Sequence, residues 1–212
     1  MNLLDELKVS VIAGDCDKID KLTRQGLEQG IKVETILNEG LIAAMDTVGL
    51  RFERGELFIP EMLRAAGAMQ RGLNVLRPLF KESDIQPLGT IVIGTVEGDL
   101  HDIGKSMVGM ILESAGFKVV DLGVNVSPEK FVRSAKEENA QLVGLSALLT
   151  TTVGKMQTTI KVFERAGLKV KILVGGAPVT QQYADSIGAD GYAPDAFLAV
   201  KKAKELLAKE LL

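Results

Sequence analysis

Apolar positions recur every three or four residues through roughly the first 80 residues, then give way beyond residue 89 to short unbroken runs. Leu3, Leu4, Leu7 and Val11 share one helical face before the AGDCD stretch at 13–17 interrupts it. Ile19, Leu22 and Leu27 begin a second stripe that closes at Gly30. A third stripe, Ile36, Leu37, Leu41, Ala44, Met45, Val48 and Phe52, stops at the RGE turn of 54–56. The fourth starts at Pro60, a residue suited to the first turn of a helix, and continues through Leu63, Ala66, Met69, Leu73 and Leu76. Four stripes with short connections predict an all-α four-helix bundle over residues 1–86. Pro78, the polar KESD of 81–84 and Pro87 predict a linker after it.

The second part, 87–212, alternates. TIVIGTV (90–96) is a β-branched run, as expected of a strand buried on both faces. A helical stretch near 103–115 ends at Gly116, and KVVDLG (118–123) precedes a helix opened by Ser127-Pro128-Glu129. QLVGLS (141–146), a helix over about 153–166, KVKILVGG (169–176), a helix near 180–187, DGYA (190–193) and a terminal helix follow. Five such βα units predict an α/β domain with a five-stranded parallel sheet, flavodoxin-like (Rossmann-like), in the order 2-1-3-4-5. In that order ligands bind beyond strands 1 and 3, so the chemistry is expected in the loops after residues 96 and 146.

Composition narrows the possibilities. Hydrophobic residues make up 46% and the net charge is −3, with no basic stripe, which disfavours nucleic acid as a partner. No signal-peptide pattern and no bilayer-length apolar run appear, so a cytoplasmic location away from membranes is expected. With one cysteine and one histidine, any bound metal must be held largely by a cofactor.

The loop after the first strand reads Glu97-Gly98-Asp99-Leu100-His101-Asp102-Ile103-Gly104-Lys105-Ser106. Its Gly-Lys-Ser ending suggests a phosphate loop, but five residues rather than four separate the glycines. The same loop contains D-x-H-x-x-G. In an extended loop Asp99 and His101 project to one side, so the carboxylate can reach one imidazole nitrogen and leave the other for a metal. These residues alone also suit an ordinary loop histidine. On the facing loop, Ser146, Thr150, Thr151 and Thr152 supply four hydroxyls in seven residues, of which one or two are expected to cap the following helix.

GDLHDIGK (98–105) resembles the signature of the cobalamin-binding domains shared by methionine synthase, the corrinoid proteins of anaerobic methyltransferase systems and several cobalamin-dependent mutases. The resemblance implies a cobalamin or related cobamide bound base-off/His-on. His101 would be the lower cobalt ligand, Asp99 its partner, and Gly98, Asp102, Ile103 and Gly104 the surrounding loop. The family pattern S-x-L-x-T matches Ser146, Leu148 and Thr150, the serine and threonine implied to contact the displaced nucleotide base. Thr152 stands where methionine synthases often have a serine completing a His–Asp–hydroxyl relay; the hydroxyl survives on a side chain with fewer rotamers. Gly175 and Gly176 would offer a bare surface to the nucleotide tail, and Tyr192-Ala193 would close its pocket.

The resemblance extends into the helical part, where FERGELFIPEML (52–63) is similar to the cap segment of the same proteins. It implies that Phe52, Ile59, Met62 and Leu63 shelter the upper corrin face, and that residues 82–89 form a hinge. The implied function is a corrinoid methyl carrier. It would serve a donor-specific methyltransferase and an acceptor methyltransferase that uses tetrahydrofolate, coenzyme M or similar, with a reductive activase as a further partner. Two alternatives are a cobalamin-dependent sensor and the small subunit of an adenosylcobalamin mutase. The first normally adds a DNA-binding domain, and the second would have its adenosyl group obstructed by the helical cap.

Overall fold

A computed structural model of the chain describes residues 2–79 and 86–208. The chain divides into two compact units, Met1–Gln86 and Pro87–Leu212.

The first unit is helical. Helix α1 (Leu3–Ala13) is capped by Asn2, whose side chain accepts from the Asp5 amide at 2.8 Å, and α2 (Cys16–Glu28) by Asp15, which accepts from Lys18 at 3.1 Å. A short α3 (Val33–Thr35) runs into a π-helical segment, Ile36–Ile42, and then into α4 (Ala43–Glu53). The third stripe is therefore one continuous helical path that widens in the middle. Gly40 lies in the widened part, where an added Cβ would stand 3.3 Å from Leu7. Helix α5 (Ile59–Leu76) has Pro60 in its first turn and Glu61 accepting from the Phe58 amide at 3.0 Å. It packs against α2 and α1, and a 3₁₀ turn, Arg77–Leu79, follows it. Residues 81–84 of the expected linker, and 82–85 of the expected hinge, lie outside the described residues.

The second unit alternates strand and helix: β1 (Thr90–Thr95), α6 (Ile103–Ser114), β2 (Lys118–Asp121), α7 (Pro128–Glu137), β3 (Leu142–Ser146), α8 (Gly154–Ala166), β4 (Lys171–Gly175), α9 (Gln181–Ser186), β5 (Gly191–Tyr192) and α10 (Ala196–Ala208). All five strands are parallel, in the order β2-β1-β3-β4-β5. Every residue of β1 is buried, in keeping with its continuous apolar run at the centre of a covered sheet. Because β2 and β3 flank β1, the chain leaves β1 in one direction and returns on its other side. Thr95 aligns with Ser146 and Ser146 with Gly175, so the ends of β1, β3 and β4 are level. The loops that follow them open a crevice at the switch point.

One capping expectation is overturned. The first turn of α8 has no side-chain cap, because Val153 occupies the cap position and the nearest hydroxyl, Thr152, is engaged elsewhere.

Candidate functional site

Asp99 organises the crevice. It is 0% exposed, and both carboxylate oxygens are saturated with donors. Oδ1 accepts from the His101 main-chain N–H at 3.1 Å and lies 2.7 Å from His101 Nδ1. Oδ2 accepts from Thr152 Oγ1 at 2.7 Å, from the Leu148 amide at 2.8 Å and from the Leu149 amide at 3.3 Å. Burial alone would push the Asp99 carboxyl upward. The bonds from Thr152, Leu148 and His101 outweigh it and hold the group well below the usual carboxylate range.

The tautomer of His101 follows from that charge. An ionised carboxylate can only accept, so the proton sits on Nδ1 and a neutral ring turns the Nε2 lone pair outward. The side chain is 47% exposed, and Nε2 has no hydrogen-bond partner among the described residues. On the same loop Leu100 and Ile103 are exposed by 71% and 82%, and on the facing loop Leu148 and Leu149 by 43% and 41%. Four exposed large apolar side chains, on the loop that carries the imidazole and the loop that faces it, suit a broad apolar ligand. Among the described residues, no group of three or more His, Cys, Asp or Glu side chains could hold a bare ion. The donor set therefore fits a metal supplied with most of its ligands already in place.

The remaining loop residues have structural work. Lys105 is buried and its ammonium pairs with Asp102 at 2.8 Å and with Asp121, which excludes it from a phosphate-binding role. Asp102 also accepts from Ser106 at 2.9 Å. Gly104 is open on its Cβ side, with nothing within 4 Å. Gly98, at φ +82°, donates its N–H to Asn125 Oδ1 at 2.8 Å.

Farther along the crevice lie the other expected site residues. Ser146 ends β3 half-buried and Thr150 is exposed; neither hydroxyl has a partner among the described residues. Gly175 and Gly176 are half-buried, and the chain's own packing demands glycine at both. A Cβ at Gly175 would stand 2.9 Å from the Ala193 carbonyl oxygen, and one at Gly176, whose φ is +125°, would stand 1.9 Å from that of Ala147. The chain's own backbone fills the space a side chain would need. Tyr192 leans on the core cluster around Phe163 and Val174, and Ala193 is buried.

In the helical unit, Ile59 is 51% exposed while Phe52 and Leu63 are half-buried. Met62 is 2% exposed and presents no surface to a ligand, against expectation. Phe58, which the sequence pattern did not single out, is 68% exposed. Thr95 and Asn125 were also missed. They lie six residues before and 24 after His101, in segments that read only as strand and turn.

The fold and the site together define a doubly wound α/β protein whose switch-point loop presents one imidazole with a bare Nε2. Two family models, each described as a B12 binding domain, match residues 89–201 and 3–77. The dimethylamine corrinoid protein of Methanosarcina barkeri is 47% identical over 209 residues, covering 97% of this chain and 98% of its own length. Among solved structures, a chain of the methanol:cobalamin methyltransferase complex MtaBC from Methanosarcina barkeri superposes with a TM-score of 0.88 at 26% identity, covering 97% of this chain and 80% of that one. A cobalamin-binding protein from Desulfitobacterium hafniense DCB-2 gives 0.78 at 30% identity, covering 96% and 98%. The chain belongs to the B12-binding-domain family of corrinoid proteins, and its cofactor is a corrinoid. Among the described residues no helix is long and apolar enough to cross a membrane.

Proposed function

We propose that this chain is a methyl carrier that binds its corrinoid through His101, accepts a methyl group from a donor-specific methyltransferase and yields it to a second one. The observation that carries this reading is the chain's single imidazole, tied at Nδ1 to a buried carboxylate and bare at Nε2. When bound, the corrinoid supplies a cobalt centre able to take up and release a methyl group.

The protein's own groups do the rest. Asp99 retains the Nδ1 proton, keeping Nε2 a ligand and raising its basicity. Thr152 and the Leu148 amide hold the carboxylate ionised behind the ring. Leu100, Ile103, Leu148 and Leu149 offer apolar surface to the macrocycle and exclude water from it. The hydroxyls of Ser146 and Thr150 are assigned to the displaced nucleotide base, and the β4–β5 ends, at Gly175-Gly176 and Tyr192-Ala193, to its tail. In the helical unit, Phe58 and Ile59 have the exposed apolar surface suited to sheltering a reactive methyl group. Likeness to dimethylamine corrinoid proteins over nearly the whole chain supports a methylated amine as donor. Likeness to a chain of a methyltransferase complex supports docking to the donor enzyme. The acceptor enzyme, using tetrahydrofolate, coenzyme M or a similar carrier, and a reductive activase complete the proposed partners.

The test is reconstitution with cobalamin, reduction to the Co(II) form and electron paramagnetic resonance. One axial nitrogen from His101 gives three-line splitting that becomes two-line when histidine is ¹⁵N-labelled. His101→Ala should abolish the labelling effect. If labelling changes nothing in the wild-type protein, histidine ligation is wrong. Methyl uptake tested with dimethylamine and a dimethylamine methyltransferase then examines the donor, and its failure there would leave the ligand standing.

A further inference from the structure

We infer that Thr95 and Asn125 are positioning residues that aim the His101 ring without touching the cofactor; this rests on the proposed role of His101. A hydrogen bond from Nδ1 to Asp99 does not by itself fix where Nε2 points. The ring can swing about that bond unless the Cα of His101 is also held. Both peptide groups around that Cα are held here. The N–H donates to Asp99 Oδ1 at 3.1 Å, and the carbonyl accepts from Thr95 Oγ1 at 2.8 Å. Thr95 is 0% exposed at the end of β1, and its hydroxyl reaches six residues along the chain instead of closing a local turn.

Asn125 holds the other end of the same segment. Its N–H donates to the Asp99 carbonyl at 2.9 Å, and its Oδ1 accepts from the Gly98 N–H at 2.8 Å. Delivering both groups to one loop requires a left-handed backbone, and Asn125 has φ +52°, which asparagine tolerates better than most residues. Residues 98–101 are thus pinned at Gly98, Asp99 and His101 to the end of β1 and to the loop after β2, and the Nδ1 bond then sets the direction of the ring. Thr95 supplies one neutral hydrogen bond, so its loss should change any quantity that depends on that direction by about tenfold.

The sole histidine gives a clean test. In apoprotein labelled with ¹⁵N, both ring nitrogen signals belong to His101. Wild type should show one tautomer with the proton on Nδ1 and slow exchange of that proton. Thr95→Val keeps the β-branched shape and removes the hydroxyl. It should speed the exchange by about tenfold, and weaken hydroxocobalamin binding by a similar factor, with a visible spectrum shifted away from histidine ligation. Thr95→Ser should restore both. Asn125→Gly keeps the left-handed backbone and deletes Oδ1. It should give a smaller change, about threefold, that Asn125→Asp reverses. Folded Thr95→Val and Asn125→Gly proteins with wild-type exchange and affinity would overturn the inference. Should Thr95→Val fail to fold, the exposed Asn125 site decides it alone. Ring signals that respond as expected in a protein whose cobalamin spectrum never shows histidine would sink the ligand assignment and uphold the positioning.

Discussion

Asp99→Asn separates charge from shape at the centre of the site. The substitution keeps one acceptor oxygen and turns the other into an NH₂ donor. If the NH₂ replaced Oδ2 it would face the Leu148 and Leu149 amides, at 2.8 and 3.3 Å, and would force the Thr152 hydroxyl to reverse. Replacing Oδ1 instead, it would face the His101 amide at 3.1 Å and Nδ1 at 2.7 Å. The second orientation leaves a single amide unmet and is favoured. It also makes Nδ1 an acceptor, moving the ring proton to Nε2 and removing the lone pair a metal needs. The unmet amide costs about 1–3 kcal/mol, and the surviving bonds fall from charged to neutral strength, for a net loss of about 2–4 kcal/mol. Urea unfolding at pH 7 measures that loss, and ¹⁵N spectra of the single histidine read the tautomer directly. Because the folded Asp99 carboxyl lies below its unfolded value of 3.8, its contribution is complete above that pH and fades as pH falls toward the folded value. The stability gap between wild type and Asp99→Asn should therefore narrow below about pH 4. An Asp99→Asn protein with an Nδ1–H tautomer and wild-type stability would refute this account of the site.

Two further substitutions probe the frame around it. Gly176→Ala puts a methyl group against the Ala147 carbonyl oxygen at a strained φ, so a loss of about 3 kcal/mol or more is expected; a wild-type melting curve would contradict it. Lys105→Met removes the buried ammonium but leaves Asp102 and Asp121, whose side chains are 54% and 39% exposed and can be rehydrated. The cost should be about 1 kcal/mol in urea unfolding, against the 3–5 kcal/mol typical when a buried partner is stranded.

Side-chain chemistry arranged locally was legible in the sequence; chemistry supplied by the backbone or by distant segments was not. Asp99 and His101 are two residues apart, so their pairing lies within local reach of the chain. The switch point was also readable, because five alternating units from Thr90 to Tyr192 suit the doubly wound order that the sheet adopts. The amides of Leu148 and Leu149 bond Asp99 through groups every residue carries, and no letter marks them. A run of hydroxyls beside a helix predicts a cap by local propensity, yet Thr152 serves a carboxylate 53 residues away. The glycine pair 175–176 shows in the sequence only as missing side chains, and the backbone of Ala147 and Ala193 that demands them is invisible there. Met62 fitted the apolar pattern of a cap segment, but the same pattern describes a core position, and burial took it.

Asp99 draws its donors from both sides of the switch point. His101 is on its own loop, whereas Leu148 and Thr152 follow β3 by way of the Thr95–Ser146 register. Unpairing β1 from β3 would strip Oδ2 of all three donors and leave the carboxylate to water. It would also loosen the end of β1, from which Thr95 reaches the His101 carbonyl. The Nδ1 proton would then face a solvated carboxylate, with little left to fix the direction of the ring. Ligand competence is thus a property of the paired sheet rather than of the D-x-H-x-x-G segment. A peptide carrying residues 96–106 alone has the right letters and none of the six bonds from the neighbouring strand ends and loops that give them effect.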